Sequence, residues 1–121
     1  MVGNQGEKAG VGMNVALALR NALSGLSLPV YQNEYTGENP VYFVFNISTV
    51  PDDFADDNPQ HERAVVQLHL FCPISQNTTE LRGQVKRALV DAGFDYPSLT
   101  DATDEDGQHV VFGTGCAYGA F

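Results

Sequence analysis

Arg63-Ala-Val-Val-Gln-Leu-His-Leu-Phe-Cys72, closed by Pro73 and followed by a polar turn and a helical pattern up to Phe94, decides the fold. Val66, Leu68, Leu70 and Cys72 alternate with Gln67 and His69, the period of a half-buried strand. Pro73 cannot donate to a ladder and so ends it. Beyond Ser75–Thr79, Leu81, Val85 and Leu89 recur four apart with Ala88 and Ala92 beside them, an apolar helix stripe. Asn77 with Glu80 three residues on resembles a capping box, Asn standing for the usual Ser or Thr. Gly93 stands where a helix end wants positive φ.

Working outward, an earlier helix is expected from Asn14, with Val15, Leu19 and Leu23 as its stripe. Ser24-Gly25 stops it and Pro29 prevents a restart. Leu28–Tyr31 reads as a short strand, and 33–40 as turns. Val41-Tyr-Phe-Val-Phe-Asn-Ile47 is a strand with Val41, Phe43, Phe45 and Ile47 on one side and Tyr42 and Val44 on the other. A strand apolar on both sides is central or has its second face covered. Two covers are open, the chain's own helices and termini or a neighbouring subunit. Downstream, Asp106-Gly107 signals a type I′ hairpin leading into a strand over Gln108–Phe112. The elements together predict an α+β fold, an antiparallel sheet of about four to five strands with two helices packed on one face. The boundaries expected are a flexible leader over 1–12, one domain over 13–113 and a Gly-rich tail over 114–121.

A chain of 121 residues with 43% hydrophobic content is large enough for a core without metal or disulfide staples. Its formal net charge of −9 argues against a surface made for nucleic acid or an anionic membrane. Cys72 and Cys116 lie in apolar, strand-like contexts and read as buried reduced thiols, a disulfide being the lesser alternative. No run is long enough to span a membrane, and residues 1–12 lack the apolar centre of a signal peptide, so a cytoplasmic protein is expected.

Chemistry is harder to find. His61, His69 and His109 lack short ligand spacing, and neither cysteine is in a C-x-x-C, so no metal site is expected. His69 and His109 could meet across adjacent strands on the face away from the core, but strand histidines facing solvent or an interface are the preferred reading. The Asp101–Gly107 cluster fails as an EF-hand: with Gly107 sixth, the first and twelfth positions are Ala102 and Gly113. There is no G-x-S-x-G and no phosphate-cradling loop. No catalytic residue and no cofactor is expected. Pro51–Pro59 is a long segment without periodicity, in which Asp52, Asp53, Asp56 and Asp57 surround Phe54, a solvated loop of the kind that is functional or mobile, and the candidate lumen or docking loop if the resemblance given below holds. Arg82 and Lys86, one turn apart on the second helix, with Tyr42 and Val44, are the candidate subunit contacts.

The order and spacing of these pieces resemble the small tail-completion proteins of long-tailed bacteriophages, also called tail terminators or tail-to-head joining proteins. The resemblance runs from about Met13 to Phe112: the helix into Leu28-Pro29-Val30, the strand Tyr42-Phe43-Val44-Phe45, the loop through Ala55-Asp56-Asp57, and Val65–Phe71. It continues through Val85-Lys-Arg-Ala-Leu89, Ala92-Gly93-Phe94, Tyr96-Pro97 and Asp104-Glu-Asp-Gly-Gln-His109. It implies a structural virion protein of tail and neck, not an enzyme. Such a protein forms a six-membered ring of its own copies, ends tail-tube polymerisation and docks the head's connector, while DNA passes through unbound. Rival expectations are a head-side adaptor of the neck, an acidic DNA mimic that inhibits a nuclease, and a small enzyme or ligand-binding module.

Overall fold

A computed structural model describes residues 14–51 and 62–117. Helix α1 occupies 14–23 and ends in a 3-10 turn, Ser24–Leu26. It is followed by β1 (Val30–Gln32), β2 (Tyr42–Pro51), β3 (Glu62–Cys72), α2 (Thr79–Asp91), β4 (Ser98–Asp101) and β5 (Gln108–Ala117). The five strands form one sheet in the order β1-β2-β3-β5-β4. β3 is its spine, paired antiparallel along its length with β2 on one side and β5 on the other. The fold is the expected α+β one, and the expected alternation holds: Val66, Leu68 and Leu70 are fully buried, and Cys72 nearly so.

One face of the sheet carries the core. Phe43 and Phe45 of β2, the β3 residues just named, and Val110 and Phe112 of β5 pack with Val15, Leu19 and Leu23 of α1 and Val85 and Leu89 of α2. Fully burying side chains of this size contributes about 1.5–3 kcal/mol each before conformational entropy opposes it. The helices form because each has a stripe that the sheet covers, and α2 stops at Gly93, whose φ of 102° suits glycine.

The structure corrects several expectations. The sheet is mixed, since β1 runs parallel to β2. A parallel neighbour ordinarily needs a long crossover. Here β1 spans only three residues, so the return over 33–41 is enough, starting at Asn33 with φ of 69°. The 104–107 turn places Glu105 and Asp106 at its centre, with Asp104 and Gly107 bonded across it by 3.1 and 3.3 Å backbone contacts. Neither Asp106 nor Gly107 has positive φ, so the turn is not type I′ about Asp106-Gly107. Asp104 closes it instead, its Oδ1 accepting the Asp106 N–H at 2.9 Å.

Asn77 does not cap α2 through a box. Thr78 is the N-cap residue, and the Asn77 side chain accepts the Thr79 N–H at 3.0 Å. β4 fills a segment that carried no strand signal, and β5 continues past Phe112 to Ala117, taking residues 114–117 into the sheet. Cys72 and Cys116 are buried free thiols. They stand opposite Gln108 and Ala64, eight residues apart along β3, which at 3.2–3.4 Å per residue separates them by about 26 Å. Burial raises the pKa of both, with Arg82 weakly opposing it at Cys72 and Arg63 at Cys116.

Candidate functional site

Among the described residues no helix lies on the second face of the sheet. Strand alternation sends Tyr42 and Val44 of β2, Val65, His69 and Phe71 of β3, and His109 and Val111 of β5 to this side, and all are half-buried. Tyr35, from the 33–41 return, folds over its edge and lies flat on Tyr42, ring centroids 3.8 Å apart and planes 9° apart. Tyr31 meets Tyr35 edge-on at 4.8 Å. Tyr42 then stacks on Phe71 at 5.0 Å, and Phe71 on His109 at 4.3 Å. The result is a file of aromatic rings crossing β1, β2, β3 and β5. Aromatic pairs at such spacing add roughly 0.5–1.5 kcal/mol beyond their burial, so the surface is rigid as well as apolar.

The file ends at two histidines. His69 Nδ1 and His109 Nε2 are 2.7 Å apart, one ring nitrogen donating to the other. The sequence allowed this meeting across adjacent strands, and the register produces it diagonally: His109 is paired with Phe71, and His69 with Val111. Burial, and next the neighbouring His109, lower the pKa of His69 below its ordinary 6.5. Among the described residues no group of three or more His, Cys, Asp or Glu side chains could hold a metal ion.

Beside His109 a groove of about 470 Å³ opens between Pro40, Tyr42 and Phe71 on one side and Asp104 and Asp106 on the other. Its floor is built by Gln108, only 9% exposed. The Gln108 amide donates to the Pro73 carbonyl at 2.9 Å and to the Gln76 carbonyl, while its oxygen accepts from Thr78 Oγ1 at 3.1 Å. One side chain thereby holds the turn between β3 and α2 against β5. The isolated glutamine showed no periodic signal, so sequence reasoning missed it.

The expected contact residues separate onto two layers. Tyr42 and Val44 lie on the outer sheet face. Arg82 and Lys86 lie on α2, and Arg82 is engaged within the chain. Its Nε donates to Thr78 Oγ1 at 3.0 Å, and its Nη2 stands 3.5 Å from Gln108 Oε1 and 3.9 Å from Asp101. Arg82 therefore braces α2 to β5 and β4, leaving half-buried Lys86 and exposed Arg87 as the cations toward the end of α2. Asp52, Asp53, Phe54, Asp56 and Asp57 lie outside the described residues, as do His61 and the leader. No described helix is long and apolar enough to cross a membrane.

No protein-family model matches the chain, and no curated protein matches it. Among solved structures, one chain of the same fold aligns over 84% of this chain and 90% of its own length, with a TM-score of 0.55 at 19% identity. At that identity the likeness establishes the fold alone.

Proposed function

We propose that this chain is a structural virion protein, a tail-completion protein that closes into a ring of its own copies on the end of a phage tail tube. In that role it ends tube polymerisation and presents the surface on which the head's connector docks. The observation that carries the reading is the uncovered aromatic face of the sheet. Both described helices pack on the other side, which leaves Tyr35, Tyr42, Val44, Phe71 and Val111 part-exposed in one contiguous surface. Contiguous apolar surface on that scale marks an interaction site. A copy of the same chain is the cover the resemblance implies, over Met13 to Phe112.

The two layers supply what a ring needs. Ring closure requires two different, complementary surfaces on each subunit. The aromatic sheet face is one, and the α2 layer with Lys86 and Arg87 is the other. The acidic balance of the chain, −9 per copy, disfavours adhesion to the DNA that passes through such a ring.

The test is native mass over a range of concentrations, with electron microscopy of any large species, followed by addition of the protein to growing tail tubes. A closed ring and tubes that stop elongating are expected. A monomer at every concentration that also leaves tube growth unchanged would overturn the reading and favour an acidic inhibitor or a ligand-binding module.

A further inference from the structure

We propose that His69 and His109 form a two-imidazole chelate for a divalent transition-metal ion of the Cu2+ or Ni2+ type on the open face of the sheet. The proposal concerns the free chain, because in the proposed ring a neighbouring copy covers this face. Its ground is geometric. Two nitrogens each 2.0–2.1 Å from one ion are about 2.9 Å apart when they subtend a right angle, and about 3.3 Å apart at a tetrahedral angle. His69 Nδ1 and His109 Nε2 are 2.7 Å apart in their hydrogen bond, so sharing an ion requires them to separate, by less for the right-angled edge than for the tetrahedral one. The right-angled edge belongs to square-planar, tetragonal and octahedral ions rather than to tetrahedral zinc. In the hydrogen-bonded pair the N–H and the lone pair lie along the line between the nitrogens, so both rings, tilted by 31° to one another, must rotate about their Cβ–Cγ bonds to face a common ion.

The surroundings suit the exchange. Both rings are half-buried on the layer that no described helix covers, so in the free chain an ion reaches them from solvent. Phe71, stacked at 4.3 Å on His109 and at 6.2 Å on His69, limits how far the rings can swing apart. In the free pair one of the two facing nitrogens carries the shared proton. On chelation both facing nitrogens become ligands, and each ring keeps its single proton on the nitrogen turned away, Nε2 of His69 and Nδ1 of His109. One ring changes tautomer, and no net proton is released from a neutral pair. Water fills the remaining positions of the ion. The order of affinity expected is Cu2+ above Ni2+, with Zn2+ below what its place in the series gives because the bite is too narrow for it.

The experiment is a calorimetric titration of the full chain with Ni2+ and with Cu2+ at pH 7.5, repeated on His69→Ala and on His109→Ala. Melting temperatures are recorded with and without Ni2+. One ion per chain is expected, with a loss of tenfold or more in affinity in each variant, and a Ni2+-dependent rise in melting temperature confined to the wild type. Both variants change half-exposed positions and should melt cooperatively without metal, which separates lost chelation from lost folding. Wild-type binding no tighter than in the variants overturns the proposal, and so does a loss confined to one of the two.

Discussion

Gln108 shows how much one side chain carries at the residue scale. Replacing it by Leu removes the side-chain bonds to the Pro73 and Gln76 carbonyls and to Thr78 and Arg82, although Thr78 Oγ1 still accepts from Arg82 and the Pro73 carbonyl from the Gln76 N–H. Each such hydrogen bond contributes about 0.5–1.5 kcal/mol net. The Gln108→Leu variant should therefore melt several degrees lower, and denaturant unfolding measures the loss. His69 sets a pH dependence at the same scale. Its folded pKa lies below the ordinary 6.5, through burial first and His109 second. The unfolded chain thus takes up this proton at higher pH than the folded chain does. The contribution is intact above pH 6.5 and is lost as pH falls through the lowered folded value. Melting temperature should fall between pH 7 and pH 5 in the wild type, and fall less in His69→Gln. Parallel curves for the two proteins would assign the loss to other groups.

At the scale of elements, the ladder between β3 and β5 is the least forgiving part of the sheet. A Cβ added at Gly115 would stand 2.6 Å from the Ala64 carbonyl oxygen, which is backbone and cannot swing away. Gly115→Val should separate the strands locally and cost more than the roughly 1 kcal/mol typical of point changes. Chemical denaturation measures it, and a change within 0.5 kcal/mol would show that the strands adjust. This pairing also marks where the sequence stopped being legible. β3 and α2 could be read because each buries one face, so that period and burial coincide at Val66, Leu68, Leu70, Val85 and Leu89. β4 could not, because Ser98–Asp101 is an exposed edge strand that owes its form to β5 and carries no alternation of its own. The end of β5 was hidden by Gly113 and Gly115, glycines that read as a tail but pack where a side chain would collide. The parallel pairing of β1 depends on how Tyr35 returns onto Tyr42, a contact with no periodic trace. For the candidate site, Tyr42 and Val44 were legible as a second apolar face, whereas the continuous ring file and the histidine contact needed the register.

At the scale of the whole molecule, the described helices form one layer on one side of the sheet and give the chain two unlike surfaces, and this asymmetry can be tested as such. Tyr42→Lys combined with Val44→Lys puts charges on the half-exposed outer face, where the monomer can solvate them and should keep its melting temperature within a few degrees. Against a neighbouring subunit the same charges are buried without partners, and that opposes association strongly. Electrostatic repulsion between copies does not explain such a loss, because added lysines bring the net charge of −9 closer to zero. Lys86→Glu with Arg87→Glu alters the α2 layer in the same spirit. If the ring is built head to tail from these two surfaces, each variant alone should run as a monomer in native mass measurements. An equimolar mixture still holds one intact sheet face and one intact α2 layer, so it should form dimers and nothing larger. Rings from either variant alone would place the subunit contacts elsewhere, on the 52–61 segment or on the β1 and β4 edges. Dimers from the mixture would assign both surfaces in one experiment, because only a head-to-tail contact lets two broken subunits complete a single joint.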